Sequence, residues 1–89
     1  MKTLTNLVDG VSSPSTGRLL DLVSPVTGEV YAQAPCSTEE EVDAAFQAAS
    51  RAFASWRLTT PAVRQLALFR LADALADHAE EFADLESED

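Results

Sequence analysis

Few residues in this 89-residue chain have side chains suited to chemistry: one cysteine, Cys36, one histidine, His78, and a run of carboxylates, Glu39-Glu40-Glu41. Cys36 stands between Pro35 and Ser37 on an expected strand-to-helix connection, where a helix N-terminus favours a thiolate. No histidine or lysine adjoins it, and the three glutamates that follow oppose a thiolate. The base and orienting group that nucleophilic catalysis needs are therefore missing from its neighbourhood in sequence. His78 falls near Leu75, Ala79 and Phe82, at the edge of an apolar seam, and reads as a packed or capping histidine. The three glutamates read as a solvated first helical turn, stabilised by the positive end of the helix dipole. Trp56 is either a core anchor or an interface residue. A single cysteine has no disulfide partner, and one cysteine with one histidine cannot form a Cys/His metal cluster. Neither a glycine-rich phosphate loop, a nucleophile elbow nor a paired-carboxylate arrangement is found. A functional site would have to use main chain or a partner.

Composition narrows the class. Fifteen acidic residues against six basic ones give a formal net charge of −9, and the six cations are scattered. That balance disfavours a nucleic-acid surface, which needs clustered Lys and Arg to displace counterions. No apolar run approaches the roughly 20 residues of a membrane span. The N-terminal residues lack the continuous apolar stretch of a secretory signal. A soluble cytoplasmic protein is the expectation. A chain of this length forms at most one small domain, and such domains bury only about 60% of their unfolded surface.

The elements that must position these residues can be read in order. Asp9-Gly10 between Leu7-Val8 and Val11 is a type I′ hairpin signal, because both central positions need positive φ. Residues 12–17, rich in Ser with Pro14 and Gly17, form a loop. Arg18 to Val23 reads as a strand with Leu20 and Leu22 on one face and Leu19, Asp21 and Val23 on the other, so it expects cover on both sides. Pro25 and Gly28 set a turn, and Glu29 to Ala34 resumes as a second strand with Val30, Ala32 and Ala34 on one face. Pairing should stop at Pro35, which has no N–H to donate.

A helix then begins. Ser37 with Glu40 fits a capping box, and Thr38 with Glu41 offers a second register. Val42, Ala45, Phe46, Ala49, Phe53 and Trp56 recur at helical spacing and predict one buried face, with the helix ending near Arg57. Thr60-Pro61 opens the next helix as N-cap and first helical residue. From Leu66 to Leu85 the apolar surface is too broad for one partner. Asp77 is a possible fresh cap, so this region is one kinked helix or two dividing near Ala76 and Asp77. The acidic end, Glu80 to Asp89, is disfavoured at a free helix C-terminus, as though the chain were cut off there.

Ser24-Pro25-Val26-Thr27-Gly28-Glu29-Val30, followed by Glu40-Glu41-Val42-Asp43-Ala44-Ala45 and Ala52-Phe53-Ala54-Ser55-Trp56, resembles the N-terminal segment of the NAD(P)-dependent aldehyde dehydrogenase superfamily. The resemblance continues through Thr60-Pro61-Ala62 with Arg64, Leu71-Ala72-Asp73-Ala74-Leu75, Ala79-Glu80-Glu81 and Leu85-Glu86. It covers nearly everything from Leu7 onward, and a Thr-Gly-Lys-Pro-type element would be expected next. Trp56-Arg57 through Thr59-Thr60-Pro61 leans toward the aminobutyraldehyde and betaine aldehyde branch. One departure is Ser24, where relatives carry Asn before the proline, so the turn keeps only the weaker serine version of an Asx-type bond.

The resemblance implies an α+β fragment, short N-terminal strands and a hairpin followed by two or three helices, belonging to a larger α/β enzyme. Residues 1–89 would be a partial N-terminal segment on the cofactor-domain side, without the catalytic and Rossmann parts. It implies an oxidoreductase that converts an aldehyde, an aminoaldehyde in the branch above, to a carboxylate with NAD or NADP. That cofactor would be bound outside this segment, and this chain alone would be inactive. Cys36 does not match the catalytic cysteine, and no catalytic or cofactor-binding residue is carried over. A monovalent cation, K⁺ or Na⁺, is implied at the backbone oxygens of Leu22 and Val23 and at Asp89, with a further ligand beyond this segment. The partners implied are the remainder of the enzyme, a small aldehyde and, at full length, further copies of the protein, with neither nucleic acid nor membrane. The competing expectation is a free-standing, non-catalytic helical interaction module or truncated relic.

Overall fold

The computed structural model describes residues 2–88. Five short strands precede three helices: β1 (Lys2–Thr3), β2 (Asn6–Val8), β3 (Val11–Ser13), β4 (Leu19–Val23), β5 (Val30–Pro35), α1 (Glu39–Trp56), α2 (Pro61–Asp77) and α3 (Ala79–Glu88). This is the small α+β arrangement expected. By its internal contacts the chain divides into two units, Met1–Ala54 and Ser55–Asp89.

In the first unit β2 and β3 form their own antiparallel hairpin, with Val8 opposite Val11 across a two-residue turn. Asp9 and Gly10 both take positive φ, 53° and 73°, as a type I′ turn requires. A separate three-stranded sheet has the order β1-β5-β4. β4 runs antiparallel to β5, and Asp21 opposite Gln33 receives a cross-strand hydrogen bond from its Nε2 at 2.9 Å. β1 lies parallel to β5, with Lys2 opposite Ala32 and Thr3 opposite Gln33. Nothing local in Lys2-Thr3 announces that strand, because its partner is thirty residues away.

The turn between β4 and β5 is closed by Ser24. Its N–H donates to the Glu29 carbonyl at 2.9 Å, and its carbonyl accepts from the Gly28 N–H at 2.8 Å. The Ser24 hydroxyl oxygen accepts from the Val26 and Thr27 N–H groups at 3.2 and 3.3 Å. The serine therefore does make the side-chain bonds of this turn, at the long end of the range. Gly28 sits at φ 75°, a conformation that suits glycine. Pro35 ends β5 opposite Leu19, but pairing continues one step past it, with the Cys36 N–H donating to the Arg18 carbonyl at 2.7 Å. The strand itself ends at Pro35 as expected, with this one backbone bond beyond it. Hydrogen bonding between antiparallel neighbours alternates by residue, so with Arg18 and Cys36 bonded, Pro35 occupies a position where β4 asks for no N–H.

Little is buried. Ala32 is 2% exposed and Ala48 9%, and these are the buried hydrophobic residues among those described. In α1 the covered positions are Glu41, Ala45 and Ala48, spaced four and three apart on one face. The expected buried face is corrected accordingly. Val42, Phe46, Phe53 and Trp56 form a second stripe that stays exposed, Phe46 at 71%. Alanines permit the helix to lie close to its own unit. The large side chains, needing a deeper seat, point elsewhere.

In the second unit Thr60, at φ −72° and ψ 157°, caps α2 by accepting the Val63 N–H at 3.3 Å, with Pro61 at the first position. Before it, the Thr59 N–H and hydroxyl both donate to the Trp56 carbonyl, at 3.1 and 2.7 Å, and the Arg64 guanidinium donates to the Thr59 carbonyl. α2 and α3 divide at His78, one residue after the expected Asp77, which is the last residue of α2 and does not cap α3. His78 leaves helical geometry at φ −112° and ψ 22°. The ladder nearly spans the break, because the His78 N–H donates to Ala74 and its carbonyl accepts from Phe82. Neither α2 nor α3 holds a buried residue.

Candidate functional site

The chemistry-bearing residues are divided between the two units, Cys36 and Glu39 to Glu41 in the first and His78 in the second. Cys36 is half-buried at the end of the β4–β5 pair, and its Sγ accepts a weak hydrogen bond from Arg18 Nη2 at 3.8 Å. Among the described residues no general base is bonded to it. His78 is exposed at the α2–α3 break, with Nδ1 at 3.1 Å from Glu81 Oε2. Of the two expectations, packed or capping, the second holds: His78 is the C-cap of α2, and it is not packed, since the apolar neighbours Leu75 and Phe82 are themselves about half exposed. A one-turn i,i+3 contact between exposed groups orients the imidazole but builds no pocket around it. Trp56 is 44% exposed, neither a closed core anchor nor free of structure, because its carbonyl terminates α1. Among the described residues no group of three or more His, Cys, Asp or Glu is placed to hold a metal ion.

Leu22 and Val23 lie at the C-terminal end of β4, where the register with β5 shifts between them. The extra residue of that shift is Tyr31 on β5, because Leu22 faces Ala32 and Val23 faces Val30, so the bulged strand is β5 and not the one carrying these carbonyls. The two oxygens expected to share a cation thus sit opposite the irregularity rather than on it. Asp89, the third expected ligand, lies outside the described residues. Two backbone oxygens are not a complete cation site. A dinucleotide fares similarly. The three glycines of the chain, Gly10, Gly17 and Gly28, serve two turns and one close approach, and none opens a helix as a phosphate loop would.

The best-defined polar cluster is one that sequence reasoning half found. Thr38 and Glu41 form a reciprocal capping box: the Glu41 N–H donates to Thr38 Oγ1 at 3.2 Å and the Thr38 N–H to Glu41 Oε2 at 3.3 Å. Ser37, the alternative cap, is engaged elsewhere, its Oγ accepting from Asn6 Nδ2 at 2.8 Å. Glu41 also accepts from Ser15 Oγ at 2.6 Å, the Thr16 N–H at 2.8 Å and Thr16 Oγ1 at 3.0 Å. These donors, the Ser15 hydroxyl foremost and the Thr16 N–H next, hold its carboxyl at about 2, well below its ordinary 4.5 and against the opposing effect of burial. Glu39 and Glu40 stay exposed, as a solvated first turn should. The capping pattern gave the helical half of this cluster. Its partners 25 and 26 residues earlier carry no sequence signal beyond being small hydroxyl residues in a loop.

Residues 11–89 match the aldehyde dehydrogenase family. Over 97% of its length the chain is 43% identical to a mouse 2-aminomuconic semialdehyde dehydrogenase, covering 18% of that protein. It is 44% identical over 94% of its length to an aldehyde dehydrogenase of Rhodospirillum rubrum, and equally so to malonate-semialdehyde dehydrogenase 2 of Geobacillus thermodenitrificans. These cover 17% and 18% of the respective relatives. The chain therefore belongs to the aldehyde dehydrogenase family. It spans under a fifth of the length of the curated relatives it matches. No helix of the described residues is long and apolar enough to cross a membrane.

Proposed function

We propose that this chain is the N-terminal, cofactor-domain-side segment of an enzyme that oxidises an aldehyde to a carboxylate with NAD⁺ or NADP⁺. The observation that carries the reading is the family match over residues 11–89, and the exposed stripe Val42, Phe46, Phe53 and Trp56 supports it physically. Burying a Phe or Val side chain contributes about 1.5–3 kcal/mol, so leaving such a stripe in water forgoes much of the stability a small domain can reach. On this reading the remainder of the enzyme covers it. The segment's role is structural: it supports the cofactor domain and supplies no catalytic or cofactor-binding residue. Leu22 and Val23, with Asp89, contribute oxygens to a monovalent cation completed outside this segment.

The substrate is proposed as a small aldehyde carrying a charged group. The run from Trp56 to Pro61 leans toward an aminoaldehyde, whereas the relatives above are named for 2-aminomuconic and malonate semialdehydes. The experiment is complementation. A relative deprived of the roughly 86 residues that this chain matches should form little NADH from its semialdehyde or from 4-aminobutyraldehyde, and adding or fusing this chain should restore it. The purified 89-residue chain should form none by itself. Turnover by the isolated chain, or failure of the fused protein to oxidise any aldehyde while folding normally, overturns the proposal.

A further inference from the structure

The Glu41 carboxylate joins two stretches that are distant in sequence. Its helix-side bond, from the Thr38 N–H, is its longest at 3.3 Å. Its loop-side bonds, from Ser15 Oγ, the Thr16 N–H and Thr16 Oγ1, are shorter at 2.6, 2.8 and 3.0 Å. Hydrogen bonds to an ionised acceptor are about twice as strong as neutral ones and shorten accordingly. The loop between β3 and β4 therefore fixes this side chain at least as firmly as the helix does.

The linkage continues beyond the carboxylate. The Ser15 hydroxyl oxygen accepts the Gly17 N–H at 3.0 Å, so the group that holds Glu41 also shapes the loop's own backbone. Gly17 in turn lies against the Cys36 carbonyl, on the connection leading into α1. Ser15, Gly17 and Glu41 are half-buried, which strengthens such bonds relative to fully exposed ones.

We propose that Glu41 is a conformational coupler: it ties closure of the β3–β4 connection at Ser15 and Thr16 to formation of the first turn of α1, so that loosening either one loosens the other. A capping residue with an incidental loop contact would behave differently, because the two sets of bonds would then be independent. Coupling is reciprocal by thermodynamic necessity, and that reciprocity is what can be measured.

The test is amide hydrogen exchange by NMR on the 89-residue chain and three variants. Ser15→Ala removes a loop donor and leaves the capping box untouched. Thr38→Val removes the cap hydroxyl and leaves every loop donor in place. Glu41→Gln keeps the shape and removes the charge. Coupling predicts that Ser15→Ala lowers protection of the helix-side Val42 N–H, and that Thr38→Val lowers protection of the loop-side Thr16 N–H, each by about fivefold or more. Glu41→Gln lowers both. Ser15→Thr, which keeps the hydroxyl, retains most of the protection at Val42. The proposal is overturned if Ser15→Ala leaves Val42 protection unchanged while Thr16 opens, or if Thr38→Val leaves Thr16 unchanged while Val42 opens.

Discussion

Replacing Gly17 by alanine would place a Cβ well inside the contact distance of the Cys36 carbonyl oxygen, and also 3.2 Å from Ser15 Oγ and 3.3 Å from the Cys36 carbonyl carbon. The first obstacle is backbone, so no side-chain rotation relieves it. Either the loop or the β5–α1 connection must move. The bond first in line is the one next to both, from the Cys36 N–H to the Arg18 carbonyl at 2.7 Å. Overpacking of this kind costs about 1–3 kcal/mol, and losing one hydrogen bond about 1 kcal/mol more. The sum of about 2–4 kcal/mol corresponds to roughly 30- to 1,000-fold in an opening equilibrium, at about 1.4 kcal/mol per tenfold. For a chain whose total stability is on the order of 0.05–0.15 kcal/mol per residue, that is a large fraction.

Amide exchange at Cys36, with a urea melt beside it, reads this cost. Gly10→Ala is the control. It meets nothing within 4 Å, and its cost comes from holding alanine at φ +73°, about 1–2 kcal/mol. That cost should fall on the β2–β3 hairpin and spare Cys36. If Gly17→Ala keeps the Cys36 amide as protected as in the parent chain, the close approach is not a real constraint and the reasoning fails.

Two further outcomes follow from the caps and charges. Thr60→Ala removes the acceptor of the Val63 N–H at 3.3 Å. Because α2 buries no residue of its own in this chain, the loss of about 1 kcal/mol should appear as reduced helical ellipticity at 222 nm; an unchanged spectrum would show that α2 does not depend on its cap. Glu41 has a folded-state pKa depressed from 4.5 to about 2. Its contribution is therefore complete above the unfolded value, shrinks as pH falls from 4.5, and is gone below about 2. A ¹³C titration of its carboxyl should show that low midpoint, and Glu41→Gln should flatten the pH dependence of stability in that window. A midpoint near 4.5 would contradict the hydrogen-bonded carboxylate.

Much of this chain is determined by the sequence alone, because the deciding interactions span one turn. Asp9-Gly10 needs two positive φ values and takes them. Ser24 to Gly28 closes on its own hydroxyl and backbone groups. Thr60-Pro61 starts α2 because a hydroxyl acceptor precedes a residue that needs no N–H partner. The family is likewise legible from the order and spacing of short runs, and the match over residues 11–89 bears it out. Tertiary structure decided what distant partners decide. β1 exists because β5 offers a parallel edge thirty residues later. Thr38 rather than Ser37 caps α1 because Asn6 engages the Ser37 hydroxyl. The covered face of α1 follows Ala45 and Ala48 rather than its aromatic stripe, since helical periodicity shows that a face is apolar but not which partner lies against it. Glu41 was readable as a cap; that its carboxylate also holds Ser15 and Thr16 depends on a loop folding back across 25 residues, a placement no local spacing encodes.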